Sequence, residues 1–98
     1  MPYLIKTTDK PGSLELRNAT RAAHLAWLKQ HAPRILAGGA LLDDDGGGGH
    51  GGVIILDVED RAGAEAFIAE DPFTQAGLFA SVEIARWRKA FFNGECLV

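Results

Sequence analysis

The spacing of chain-breaking residues constrains this sequence more than any other feature. Turn-forming clusters at Asp9-Lys10-Pro11-Gly12, at Pro33, across Asp43 to Gly52 and at Asp71-Pro72 cut the chain into pieces of single-element length. Tyr3 to Thr7 is short, apolar and rich in strand formers, so it reads as an opening strand. Leu14 to His31 carries neither glycine nor proline, with Ser13 as a candidate N-cap, and Pro33 forbids its continuation; it reads as a helix. Arg34 to Leu42 is the second strand, with a bulge or a close backbone approach expected at Gly38-Gly39. Six glycines between Asp43 and Gly52 make a hairpin connection. Val53 to Val58 is apolar except for Asp57, as a central strand covered on both faces would be. Asp60 then caps a second helix whose Ala64, Phe67 and Ile68 share one face and which ends at Asp71-Pro72. Ser81 to Trp87 is the fourth strand, with Val82 and Ile84 on one side and Glu83, Ala85 and Trp87 on the other. The residues beyond it give no reading.

The order strand, helix, strand, strand, helix, strand is the split βαβ pattern: an α+β, ferredoxin-like βαββαβ domain with a four-stranded antiparallel sheet and both helices on one face. With 98 residues there is one hydrophobic core, so residues 1–98 form a single domain. Composition agrees, at 47% hydrophobic and 23% charged residues, ordinary for a globular chain. The sheet face without helices carries alternate apolar residues and should meet a second copy, which predicts a homodimer.

A formal charge of −3 supplies no basic field for a nucleic-acid backbone. Cys96 is the single cysteine, no leader-like or membrane-length apolar run is present, and a cytoplasmic protein without membrane attachment is expected.

The first helix carries the most informative pattern. With Arg17 at 0° and 100° per residue, Arg21 falls at about 40°, His24 at about −20° and Leu28 at about 20°. This stripe sits mid-face on the side expected to meet the sheet. Basic groups placed there need carboxylates, a solvated cleft or an anionic ligand. Arg17 and Arg21 either pair with Asp9, Glu83 or Asp57, or hold a small anion; His24 in their company is a candidate base.

Other patterns carry less. Asp43-Asp44-Asp45 near His50 sits in a glycine loop without the fixed oxygen geometry of a metal site, so no metal is expected. The GGGGHGG run lacks the Lys and Ser/Thr of a phosphate loop and no helix follows it. Ser13 is about 16 Å along the helix axis from His24, too far for a nucleophile and its base. Phe73 and Trp87 are either core or pocket aromatics.

The blocks DKPGSLELRNATRAAHL, AGGALLDDDG, DPFTQAGLF and VEIARW resemble the YCII-related (YciI-like) family over nearly the whole chain. The matching positions are Asp9, the series Arg17, Arg21, His24 and Leu25, then Ala37-Gly38, Asp71-Pro72-Phe73 and Ala76-Gly77. The chain departs from the family pattern at Gly39-Ala40, where a Gly-Pro turn is usual, and at Ala85-Arg86-Trp87, where a proline often precedes the aromatic. The resemblance implies a dimeric α/β barrel and a His/Asp dyad of His24 and Asp71. Arg17, Arg21 and Phe73 then contact a small anionic substrate. The resemblance names a site and not a substrate; the basic stripe taken together with that dyad leads to the expectation of a cofactor-free enzyme of lyase or isomerase type that moves a proton on a small carbonyl compound or an aromatic-derived anion. The rival reading is an anion-binding or accessory dimerisation module without chemistry.

Overall fold

A computed structural model describes residues 2–98. Its elements are β1 (Tyr3–Asp9), α1 (Leu14–Gln30), β2 (Ile35–Leu41), β3 (Gly51–Leu56), α2 (Arg61–Ala69), a short α3 (Pro72–Gln75), β4 (Phe79–Arg86) and a terminal hairpin of β5 (Phe91–Phe92) and β6 (Glu95–Cys96). The four long strands form one antiparallel sheet in the order β2-β3-β1-β4, the expected ferredoxin-like arrangement.

Side-chain alternation explains how the layers meet. Tyr3, Ile5 and Thr7 of β1 point to the same face as Ile54 and Leu56 of β3 and are buried there. Trp27 of α1 and Ala64, Phe67 and Ile68 of α2 close over that face to make one core. The opposite face carries Leu4, Val53 and Ile55, half-buried with no layer above them among the described residues. The third strand does lie inside the sheet, between β2 and β1, but it is covered on one face and not on both, because both helices pack on the same side.

Several boundaries differ from the sequence expectation for local reasons. Ser13 precedes α1, but its backbone (φ −106, ψ 16) is not the extended form that aims a hydroxyl at the first turn, and its side chain makes no cap. Asp60 does have that form (φ −146, ψ 170) and accepts from Gly63 N at 2.8 Å. The third strand begins at Gly51, not Val53, because glycine backbones pair with Thr7 and Thr8 although they carry no side chain for a hydropathy pattern to register. The irregularity in β2 falls between Ile35 and Ala37, just after the single 3₁₀ turn Ala32–Arg34, instead of at the glycine pair.

Asp71-Pro72 ends one helix and also starts another. Asp71 caps α3 through Phe73 N, Pro72 fits the first turn where no N–H is needed, and Gly77 at φ +76 stops it. Leu78 N then bonds Phe73 O and Gly77 N bonds Thr74 O, the paired closing bonds of a Schellman end. The tail also has structure: Asn93 and Gly94, both at positive φ, form the turn between β5 and β6.

Candidate active site

The two helices sit differently on the sheet. α2 packs directly on β1 and β4, whereas no strand lies as close beneath α1. The space under α1 is a cavity of about 490 Å³ whose sheet side includes Gly38, Ala40, Gly52 and Ile54. Gly38 pairs with Ile54 and Gly52 with Thr7, so these positions lie on the helix-facing side, where they contribute almost no side chain. The cavity exists because α1 spans a strip of sheet where Gly38, Ala40 and Gly52 leave the gap beside Ile54 unfilled.

His24 and Asp71, 47 positions apart in sequence, meet at its wall. His24 Nδ1 lies 2.8 Å from Asp71 Oδ1, which also accepts from Phe73 N at 2.9 Å. An oxygen already serving as acceptor leaves Nδ1 as the donor; in the neutral ring Nε2 then holds the lone pair. Asp71 is only 1% exposed, and its Oδ2 has no hydrogen-bond partner among the described residues. The position follows from local chemistry: the residue that caps α3 must stand at its N-terminus, and α3 packs against α1.

Phe73 holds the imidazole from one side, with ring centroids 4.0 Å apart and planes 16° from parallel. The Arg17 guanidinium carbon lies 5.0 Å from the same ring centroid. Arg17 and His24 are two turns apart on α1, about 10 Å of axial rise, which leaves room for one aromatic ring between them. Phe73 thus gives its face to His24, although it lines the cavity as well.

The two arginines of the stripe take different fates. Arg17 bonds Asp9 Oδ2 at 2.8 Å and Gly51 O at 3.1 Å, and the pair is buried. Its guanidinium is pressed against Gly49, where a Cβ would come within 2.8 Å of Nε. Arg17 therefore ties the end of β1 to the start of β3 and has its charge compensated. Arg21 is exposed, lines the cavity and has no ion-pair partner among the described residues. The buried face of α1 is centred nearer Trp27 than the stripe, which leaves Arg21 on the solvent shoulder.

Asn18 and Lys29, about 100° and 120° around α1 from Arg17, also line the cavity, so its opening extends past the stripe on the Leu25 side. Trp87 is not in the wall. In the glycine loop, His50 Nε2 stands 4.0 Å from Asp43 Oδ1, both largely exposed. No helix among the described residues is long and apolar enough to cross a membrane.

The fold is α+β and ferredoxin-like, and its helix-roofed cleft brings a histidine set by a buried carboxylate beside a free arginine. The chain belongs to the YCII-related domain family, whose model matches residues 1–88. It is 34% identical to Protein YciI of Escherichia coli, over 93% of this chain and 100% of that protein. An uncharacterised protein of Haemophilus influenzae is 36% identical with the same coverage. Among solved structures it is similar to the 5-chloro-2-hydroxyhydroquinone dehydrochlorinase TftG of Burkholderia phenoliruptrix AC1100, in complex with 2,5-dihydroxybenzoquinone, with TM-score 0.85, 38% identity and coverage of 90% of this chain and 94% of that one. SnoaB, a cofactor-independent oxygenase of Streptomyces nogalater, shares the fold at TM-score 0.55 and 13% identity, covering 96% of each chain.

Proposed function

We propose that the chain is a cofactor-free enzyme of lyase or isomerase type that uses His24 to move a proton on a small carbonyl compound or aromatic-derived anion. The observation that carries this reading is His24 itself: Nδ1 is occupied by a buried carboxylate while the ring lines an open cavity. Nε2 takes a proton from a carbon or hydroxyl conjugated with the carbonyl, and the electron pair moves onto the carbonyl oxygen. Arg21 is the available cation for that oxygen or for a substrate carboxylate. Asp71 stabilises the imidazolium that results. The pair of electrons then either recaptures the proton at another atom, an isomerisation, or expels a leaving group, an elimination. The name of the similar dehydrochlorinase describes a case of the second kind, and its bound dihydroxybenzoquinone is a ligand of the size and polarity this cleft would accept. Arg17, bound to Asp9, and Phe73, stacked on His24, act as positioning residues in this reading.

The test is a panel of chlorinated and hydroxylated quinols, lactones and small carboxylates offered to wild type and His24→Ala, followed by proton or halide release and product analysis. At least one compound is turned over by wild type, and His24→Ala slows it about 10²–10⁴-fold, the usual contribution of a positioned general base. Equal turnover by both proteins would sink the proposal.

We also propose that two copies pair through the sheet face that carries Leu4, Val53 and Ile55. The support is the apolar character of a face with no cover in the single chain. Light scattering at micromolar concentration reads the mass directly; a strict monomer rules the pairing out.

A further inference from the structure

We infer that the ligand of this cleft carries an apolar substituent, and that Gly38 sets how long that substituent can be. The inference rests on the catalytic reading above and adds the part of the substrate that does not react.

β1 and β2 both run antiparallel to β3, so α1 returns antiparallel to β2 above it. The cavity therefore extends along the helix, from Arg17 opposite Ala40 to Lys29 near Ile35, about 18 Å of axial rise. His24 stands between two unlike ends. Toward the N-terminus of α1 the wall is polar, with Asn18 and Arg21; toward the C-terminus it is Leu25, Leu28, Ala32 and Ile35, with Lys29 at the rim. A hydroxylated ring held at His24 and Arg21 fills only part of about 490 Å³, a volume typical of sites for drug-sized ligands. The remaining space is the apolar end, which gains affinity only from an apolar group.

Gly38 joins the two ends. Its φ is outside the left-handed region, and a Cβ there would meet nothing closer than Val53 O at 3.6 Å and the Ile35 side chain at 3.7 Å. Gly51 and Gly63 are different: a Cβ at Gly51 would collide with Thr7 O, and one at Gly63 would come within 2.5 Å of Val58. A backbone oxygen demands glycine at 51 and the Val58 side chain crowds anything larger at 63, whereas neither constraint holds at 38. Glycine inside a strand carries a stability cost, so its effect at 38 is to leave the floor of the cleft open.

The experiment measures binding of 2,5-dihydroxybenzoquinone and its methyl, propyl and hexyl homologues by calorimetry to wild type, Gly38→Val and Leu28→Ser, with melting temperature as the check on folding. Wild-type affinity rises about fourfold per added methylene until the apolar end is full, as expected for burial of CH₂ groups. In Gly38→Val the rise is lost beyond methyl, and in Leu28→Ser it is reduced although Gly38 is intact, which keeps the test open if the valine variant is unstable. Binding of the parent compound with no gain from the alkyl chain, or an equal gain in all three proteins, overturns this inference and leaves the catalytic reading standing. Failure of wild type to bind any member of the series overturns this inference as well, and the catalytic reading then stands or falls on the turnover panel alone.

Discussion

The two halves of the helical layer rest on the same sheet and are built by opposite rules. Over β1 and β4, α2 lies directly on the strands, and Ile5, Ala64, Phe67 and Ile68 are almost wholly buried. Over β2 and β3, α1 spans a gap above Gly38, Ala40 and Gly52, and only Trp27 is buried along its length. One half supplies close-packed apolar contacts; the other leaves those contacts unmade so that a ligand can make them. The difference lies less in the helices than in the strands below them, where glycine stands at sheet positions that carry large side chains on the other side.

Substitutions can break or sharpen this contrast. The largest stability effect is expected in the filled half: Phe67→Ala should cost about 4 kcal/mol in denaturant unfolding, because Phe67 is 2% exposed and packs on Trp27 at 4.5 Å between ring centroids. Arg17→Ala comes next, at about 3 kcal/mol, since it strands the buried Asp9 carboxylate without its partner and unties β1 from β3. Gly77→Ala should cost about 1 kcal/mol through the left-handed φ that ends α3, the element that carries Asp71 and Phe73 to the boundary between the halves. Leu28→Ala in the open half should also stay near 1 kcal/mol, as its side chain is only partly covered. An equal cost for Phe67→Ala and Leu28→Ala would show that the cleft is closed in solution. Phe91→Ser should change stability by less than about 0.5 kcal/mol, because Phe91 is 68% exposed on the terminal hairpin and belongs to neither half.

Much of the frame was legible in the sequence because it is written in side-chain periodicity and turn chemistry. The element order, the face of α2 and the Asp60 cap all follow from local patterns, and they appear as read. What escaped was written in backbone. Gly51 and Gly52 pair as strand residues without an apolar signal, and Ser13 has the right side chain on the wrong backbone conformation. The Asn93-Gly94 turn is signalled by its dipeptide alone, since the two-residue strands it joins are too short to show alternation.

The site divides in the same way. Helical spacing grouped Arg17, Arg21 and His24, but could not distinguish the arginine that is tied to Asp9 from the one left free, since that depends on where the end of β1 lies. Asp71 came only through family resemblance, because a residue 47 positions from His24 has no local signal for its partner. The cavity has no one-dimensional signature either: it is the absence of side chains on two strands, seen only once the sheet is assembled.

A site opened by glycine has a bias in how it can evolve. Single-base changes in a glycine codon that still encode a residue give alanine, valine, serine, cysteine, tryptophan, arginine, aspartate or glutamate, so each of them at Gly38 adds atoms to the floor at a backbone conformation that is not left-handed. The cleft can therefore be narrowed or re-lined by point mutation with the His24 and Asp71 pair untouched. Descendants of such a chain would be expected to differ first in which molecules they admit, and only later in what they do to them.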